Sequence, residues 1–160
     1  MGNIFNEREG FFQMSKHIQQ KDCGPQPSAI NIANATKCNT NFRSTIWTGK
    51  HLQATLMCIP PRDEIGLECH AHTDQFLHIE CGRGMACMGL SEDKLSFQCQ
   101  VCEGGAVFVP AGAFHNIINT GDCPLKLYSI YAPPQHPHGT VHKCKSDAEL
   151  SEHEPKENKK

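Results

Sequence analysis

Between about residue 41 and residue 133, apolar and polar side chains alternate with a period of two, in short runs rich in β-branched and aromatic residues. That is the pattern of half-buried strands. Nine runs carry it: FRSTIWTG, HLQATLMCIP, IGLECHA, DQFLHIECG, GMACMGL, KLSFQCQVCEG, AVFVPAG, FHNIINTG and LKLYSIYAP. Turn-forming clusters separate them at PPRDE, at Gly82 to Gly84, at SEDK, at Gly104 and Gly105, and at TGDCP. No strong amphipathic helix intervenes, so the pattern predicts an all-β sandwich or barrel that closes its own edges.

The flanks read differently. Residues 1–36 are polar with a Gly-Pro-x-Pro break at Gly24 to Pro27, and they predict an arm with one short helix around Gly10 to Gln19 that packs on the body or on a neighbouring subunit. Residues 37–133 form the β domain. The tail, residues 134–160, starts with three histidines (His136, His138, His142) and ends in charged residues, which predicts fraying or disorder.

Composition narrows the classes. A chain of 160 residues makes about one domain and can bury a real core. With 15 basic against 17 acidic residues, a formal charge of -2 and no basic block, it lacks the electrostatic footprint of a nucleic-acid partner. No apolar run approaches the ~18 residues of a membrane span, and MGNIFNEREGFF lacks the basic start and apolar run of a signal peptide. A soluble, cytoplasmic protein with no membrane partner is expected. In that compartment the ten cysteines are thiols or ligands rather than disulfides. Only Cys99 and Cys102 form a CxxC, with no second pair to complete a zinc site, so the set is expected to pack as small apolar residues in strands.

Candidate chemistry concentrates in two stretches. Residues 104–119 read GGAVFVPAGAFHNIIN: Gly104 and Gly105 open a turn, Val107 and Val109 share one strand face, Pro110 and Gly112 make a tight reversal, and His115 begins the next strand. Upstream, ECHAHTDQFLHIECG holds three histidines and two glutamates. Glu68 and His70 are two apart on one run, so both project to the same face roughly 7 Å apart at the backbone.

The downstream stretch resembles, without a gap, the second motif of the cupin family, GxxxxxPxGxxHxxxN, with Gly104, Pro110, Gly112, His115 and Asn119 in place. The resemblance extends over roughly Asn41 to Pro133 and implies a single-domain cupin, a double-stranded β-helix or jelly-roll barrel. The family's first motif is GxxxxxHxH, three or four residues, Glu, six residues, Gly. Counting back from Gly82 puts Gln75 at the glutamate. Two registers then compete: His70 and His72 as the HxH pair, one residue short of the family spacing, or Glu68 and His70, whose spacing to Gln75 the family allows.

The resemblance implies a divalent metal ion, with Glu68, His70 and His115 as a two-histidine, one-carboxylate set suited to iron, manganese, nickel or zinc. Gln75 is then a weak donor or an orienting neighbour, and His72 an alternative ligand to Glu68. His78, by alternation, faces away. Leu77, Ile79, Val107 and Val109 are expected to wall the site, Glu64 or a metal-free Glu68 to act as proton-transferring base, and the tail histidines to form a lid or a second metal site. The sequence is similar to small microbial cupins often labelled mannose-6-phosphate isomerase-like. That implies a metal-dependent enzyme on a small polar molecule such as a sugar or sugar phosphate, for which Arg62 and Arg83 are the nearby phosphate-binding candidates. An iron-dependent oxygenase and a non-catalytic ligand- or metal-binding barrel are the alternatives. A small-molecule ligand and a homodimer are the expected partners.

Overall fold

Ten strands and two helices make up residues 21–153, the part of the chain that the computed structural model describes. The strands are β1 (Arg43–Thr48), β2 (Gln53–Ile59), β3 (Glu68–Cys69), β4 (Asp74–Cys81), β5 (Arg83–Gly89), β6 (Phe97–Cys102), β7 (Ala106–Val109), β8 (Phe114–Asn119), β9 (Leu125–Ala132) and β10 (Val141–His142). Each of the nine runs read from the sequence matches one of β1 to β9, β5 starting one residue before its run. The helices are α1 (Ile32–Cys38) and α2 (Lys145–His153).

The strands form two antiparallel sheets, β10-β1-β2-β9-β4-β7 and β3-β8-β5-β6, folded face to face as a double-stranded β-helix. Alternation decides which side chains meet inside. On β4 Gln75, Leu77 and Ile79 are buried, and on β9 Leu125, Leu127, Ser129 and Tyr131 are buried. Of these, Leu77, Ile79, Leu125 and Leu127 join Met57, Val107, Val109 and Ile117 in the main core. Full burial of each leucine or isoleucine contributes roughly 1.5–3 kcal/mol. Leu77, Ile79, Val107 and Val109 thus face inward as the alternation implies. The barrel interior is apolar along β4, β7 and β9 toward Ile79 and Leu125, and polar toward Gln75 and Tyr131.

Helix α1 starts on Asn31, whose side chain accepts from the Asn34 amide at 3.0 Å. Its Ile32 and Ala35 cover Leu56 and Ala54 on the outer face of the larger sheet. The helix expected around Gly10 to Gln19 lies outside the described residues. Among the described residues at the end of the segment read as an arm, a helix forms at α1, where an asparagine cap outweighs poor helix formers.

The tail does not fray over its described length. β10 pairs with β1, placing His142 opposite Arg43, and α2 sinks Ala148 into the main core. Composition suggested disorder. Backbone pairing and one buried alanine override it, helped by Lys145 at 3.4 Å from Asp63 and 3.6 Å from Glu64. Buried Asp22 ties the two flanks together: its carboxylate accepts from Thr48 Oγ1 at 2.6 Å, from the Gly24 amide at 3.0 Å and from the Gly139 amide at 3.1 Å. Among the described residues no helix is long and apolar enough to cross a membrane. The cysteines correct the expectation of burial. All ten are free, Cys87 alone is buried, and Cys23, Cys38, Cys69, Cys99, Cys102, Cys123 and Cys144 are exposed, because they fall in loops, at the end of α1 or on the edge strands β3 and β6.

Candidate metal centre

Strands β3 and β8 lie side by side with Glu68 directly opposite His115, and His70 follows just past the end of β3, two residues on and so on the same face. His70 Nε2 lies 3.6 Å and His115 Nε2 3.9 Å from Glu68 Oε2, and the three atoms all fall within 4.8 Å of one another. Each is buried and lacks a hydrogen-bond partner. Leaving three polar atoms buried and unmatched costs roughly 1–3 kcal/mol apiece. An ion that all three could ligate removes that cost, so the donor set fits a divalent metal. Among the described residues this is the one group of three or more histidine, cysteine or acidic side chains with such geometry.

Local structure fixes each donor. The reversal between β7 and β8 turns on Gly112, whose φ of +80° favours glycine. The Gly112 amide then donates to the His70 carbonyl at 2.8 Å, so the second motif's turn holds the backbone of the first motif's histidine. The Ala113 carbonyl lies 3.1 Å from His115 Nδ1. A carbonyl only accepts, so Nδ1 carries the proton and the Nε2 lone pair faces Glu68. Burial holds the His115 pKa below its usual value despite that carbonyl and the Glu68 charge, keeping the ring in its neutral, ligating form.

Arg43 is the functional residue that the sequence reading missed. Almost fully buried on β1, it donates to Glu68 Oε1 at 2.6 Å and leaves Oε2 facing the two imidazoles. Burial alone would raise the Glu68 pKa. His70 and the Arg43 guanidinium more than offset it and hold the carboxyl at about 2. A carboxylate that acidic is a good ligand and a poor base at neutral pH. Reading the strand period across FRSTIWTG would have put Arg43 on a buried strand, but nothing in that run names its partner.

Of the other sequence candidates, Gln75 lies next to this group through Tyr131, and His72, Glu64, His78, Arg62 and Arg83 lie away from it. His72 is exposed in the turn between β3 and β4, outside the cluster, because the chain reverses directly after His70. Glu64 bridges to Ile118, three residues along β8 from His115 and so about 10 Å away along the strand. There it accepts from Asn116 at 2.9 Å and faces Lys145, which removes it as a base for this site. Gln75 is buried opposite Tyr131, donating to Ser129 Oγ at 3.2 Å with its Oε1 unmatched, and the Tyr131 ring meets the His70 ring edge-on at 5.7 Å. His78 stacks on Phe76 and contacts Tyr128 on the outer face. Arg62 and Arg83 both pair with exposed Asp122.

A cavity of about 430 Å³ adjoins the cluster, with Glu68 and His70 on one side and the tail residues His136, Thr140 and His142 on the other. His138 turns away to the Gly24 carbonyl at 2.9 Å.

A double-stranded β-helix with a histidine and carboxylate cluster between its sheets defines a class, and comparison with known proteins agrees. Residues 55–131 match the cupin domain model, and the chain belongs to the cupin family. The uncharacterized protein YrkC of Bacillus subtilis (strain 168) is 56% identical over 137 residues, covering 86% of this chain and 74% of the relative. An uncharacterized protein of Acanthamoeba polyphaga mimivirus is 36% identical over 117 residues, covering 72% and 71%. The crystal structure of BH2720 from Bacillus halodurans superposes with a TM-score of 0.81 at 55% identity, covering 81% of this chain and 98% of that one.

Proposed function

We propose that this cupin is a metal-dependent enzyme acting on a small polar molecule, with the ion held by Glu68, His70 and His115. The observation that carries the reading is the set of three buried, mutually facing ligand atoms without a hydrogen-bond partner at the edge of a ligand-sized cavity. A bound divalent ion would supply Lewis-acid polarisation of a carbonyl or hydroxyl oxygen. The chain's own residues do the rest. Arg43 orients the carboxylate, Ala113 fixes the imidazole tautomer, Leu77 and Val109 keep water from the inner side, and the tail closes the outer side.

Of the sugar and sugar-phosphate variants, the unphosphorylated one is favoured, because among the described residues no lysine or arginine lines the cavity and both arginines considered for phosphate are engaged at Asp122. An iron-dependent oxygenase is the second reading, supported by the two-histidine, one-carboxylate donor set. Elemental analysis of the protein as purified, with oxygen uptake measured alongside, separates them. Iron with uptake favours the oxygenase, zinc or manganese without uptake favours the first reading, and the absence of any stoichiometric metal overturns both in favour of a non-catalytic barrel. The ten free cysteines suit the reducing cytoplasm. A homodimer joined through an edge strand completes the proposal. β6 and β7 end their sheets with Phe97 and Phe108 exposed, and monomeric elution under native conditions would count against it.

A further inference from the structure

The segment after β9 is built as a wall rather than left as a tail. Buried Gln53 on β2 accepts from the amides of Gln135 at 3.2 Å and His136 at 2.9 Å, and its own amide donates to the His136 carbonyl at 2.8 Å. Thr140 is fixed in turn, its carbonyl accepting from the Thr45 amide at 2.9 Å and its hydroxyl donating to Pro137 at 2.7 Å. β10 then locks His142 against β1. These five bonds and the pairing of β10 with β1, on so short a stretch, hold two imidazoles at fixed positions along the cavity.

Those imidazoles have no structural employment. His136 sets its ring edge-on to Tyr131 at 5.1 Å and an interplanar angle of 89°, and Tyr131 in turn contacts His70. His136 Nε2 and His142 Nδ1 are both buried without a hydrogen-bond partner. Neither residue belongs to the compact group of Glu68, His70 and His115. Yet both line the cavity which that group adjoins. Burial keeps His136 neutral, with its pKa brought down to about 3, and also lowers that of His142. A neutral imidazole both donates and accepts, which matches a hydroxyl and matches a phosphate or other dianion poorly.

We propose that His136 and His142 form a recognition subsite for the uncharged, hydroxyl-bearing end of a sugar-sized molecule, whose other end lies at Glu68, His70 and His115. The proposal rests on the metal-centre reading for that other end only. Hydroxyl groups arriving at the tail wall satisfy two buried nitrogens that nothing among the described residues satisfies. The cavity's about 430 Å³ suits a monosaccharide or polyol.

The test uses the full chain with D-mannose, D-sorbitol and mannose 6-phosphate as probes, followed by imidazole nitrogen NMR and by titration, with metal content measured on the same samples. The expected result is that mannose or sorbitol shifts the His136 and His142 ring resonances, while mannose 6-phosphate binds at least tenfold more weakly. His136→Phe, which keeps the edge contact with Tyr131, and His142→Phe each weaken binding of the neutral probe tenfold or more with metal content unchanged. Failure of both neutral probes to bind, tighter binding of the phosphate, or unaltered binding in both variants overturns the subsite. So does loss of a metal equivalent in either variant, which would make these residues ligands instead. Neutral-probe binding in protein that carries no metal leaves the subsite standing and removes the metal-centre reading. Metal at the triad without any shift at the tail does the reverse.

Discussion

Arg43 and Glu68 form an ion pair at 2.6 Å with both side chains withdrawn from water, and the pair determines which carboxylate oxygen is left to face His70 and His115. Breaking a buried pair from one side leaves the other charge stranded, at a cost of about 3–5 kcal/mol. Arg43→Met should therefore lower the midpoint of thermal unfolding sharply in metal-free protein. Added zinc or manganese should restore part of the loss, because the ion takes over as countercharge. Equal losses with and without metal in differential scanning calorimetry would mean that Glu68 is not a ligand.

Gln75→Glu places a second carboxylate beside Tyr131, where the present amide donates to Ser129 and leaves Oε1 unmatched. Metal-free protein should lose stability, since a charge is buried without a partner. Metal affinity should rise, by tenfold or more in a chelator competition. An enzyme adjusted around glutamine should lose turnover at the same time, whereas a passive metal barrel has none to lose.

Acid should destabilise the fold through His136. Its folded pKa is depressed from 6.5 to about 3, so the unfolded chain binds the extra proton first as pH falls. The contribution is fully present above pH 6.5 and is lost as pH falls from there toward 3, by up to about 1.4 kcal/mol per pH unit for this one group. Urea midpoints measured from pH 7.5 to 4 should show that slope in the native sequence and a shallower one in His136→Phe.

Asn119 separates motif from chemistry. Its amide nitrogen reaches the carbonyls of Ile59, Pro60 and Cys123 at 2.9–3.0 Å, and its oxygen accepts from the Gly121 amide at 2.9 Å, far along β8 from the cluster. Asn119→Ala should cost about 2–4 kcal/mol of stability, the range for several buried groups left unmatched. Metal stoichiometry of the folded fraction should stay unchanged.

How much the sequence discloses depends on the range of the interaction. Period-two alternation placed β1 to β9, because each strand has one wet and one dry face. The resemblance to the two cupin motifs, with its register set by Gly82 and Asn119, led to Glu68, Gln75 and His115. Arg43 was not legible as a partner, since it meets Glu68 across 25 residues of sequence between two sheets. Nor was the docking of Ala148 into the core, where a single small side chain in a charged stretch outweighs its neighbours' composition. His72 misled through proximity: two residues past His70 is the same face only while a strand continues, and there it has already turned.

The knot at Asp22 gives the chain two different sets of limits. Its carboxylate binds Thr48 of the barrel and Gly139 of the returning segment, so a residue well before the first strand helps to seat a loop beyond the ninth. A chain cut to residues 37–133 would keep every strand from β1 to β9 and all three residues of the cluster. It would also open the cavity along one whole side. The span that carries these nine strands is shorter than the span that encloses the cavity, and the difference lies in two flanks that touch each other as well as the barrel.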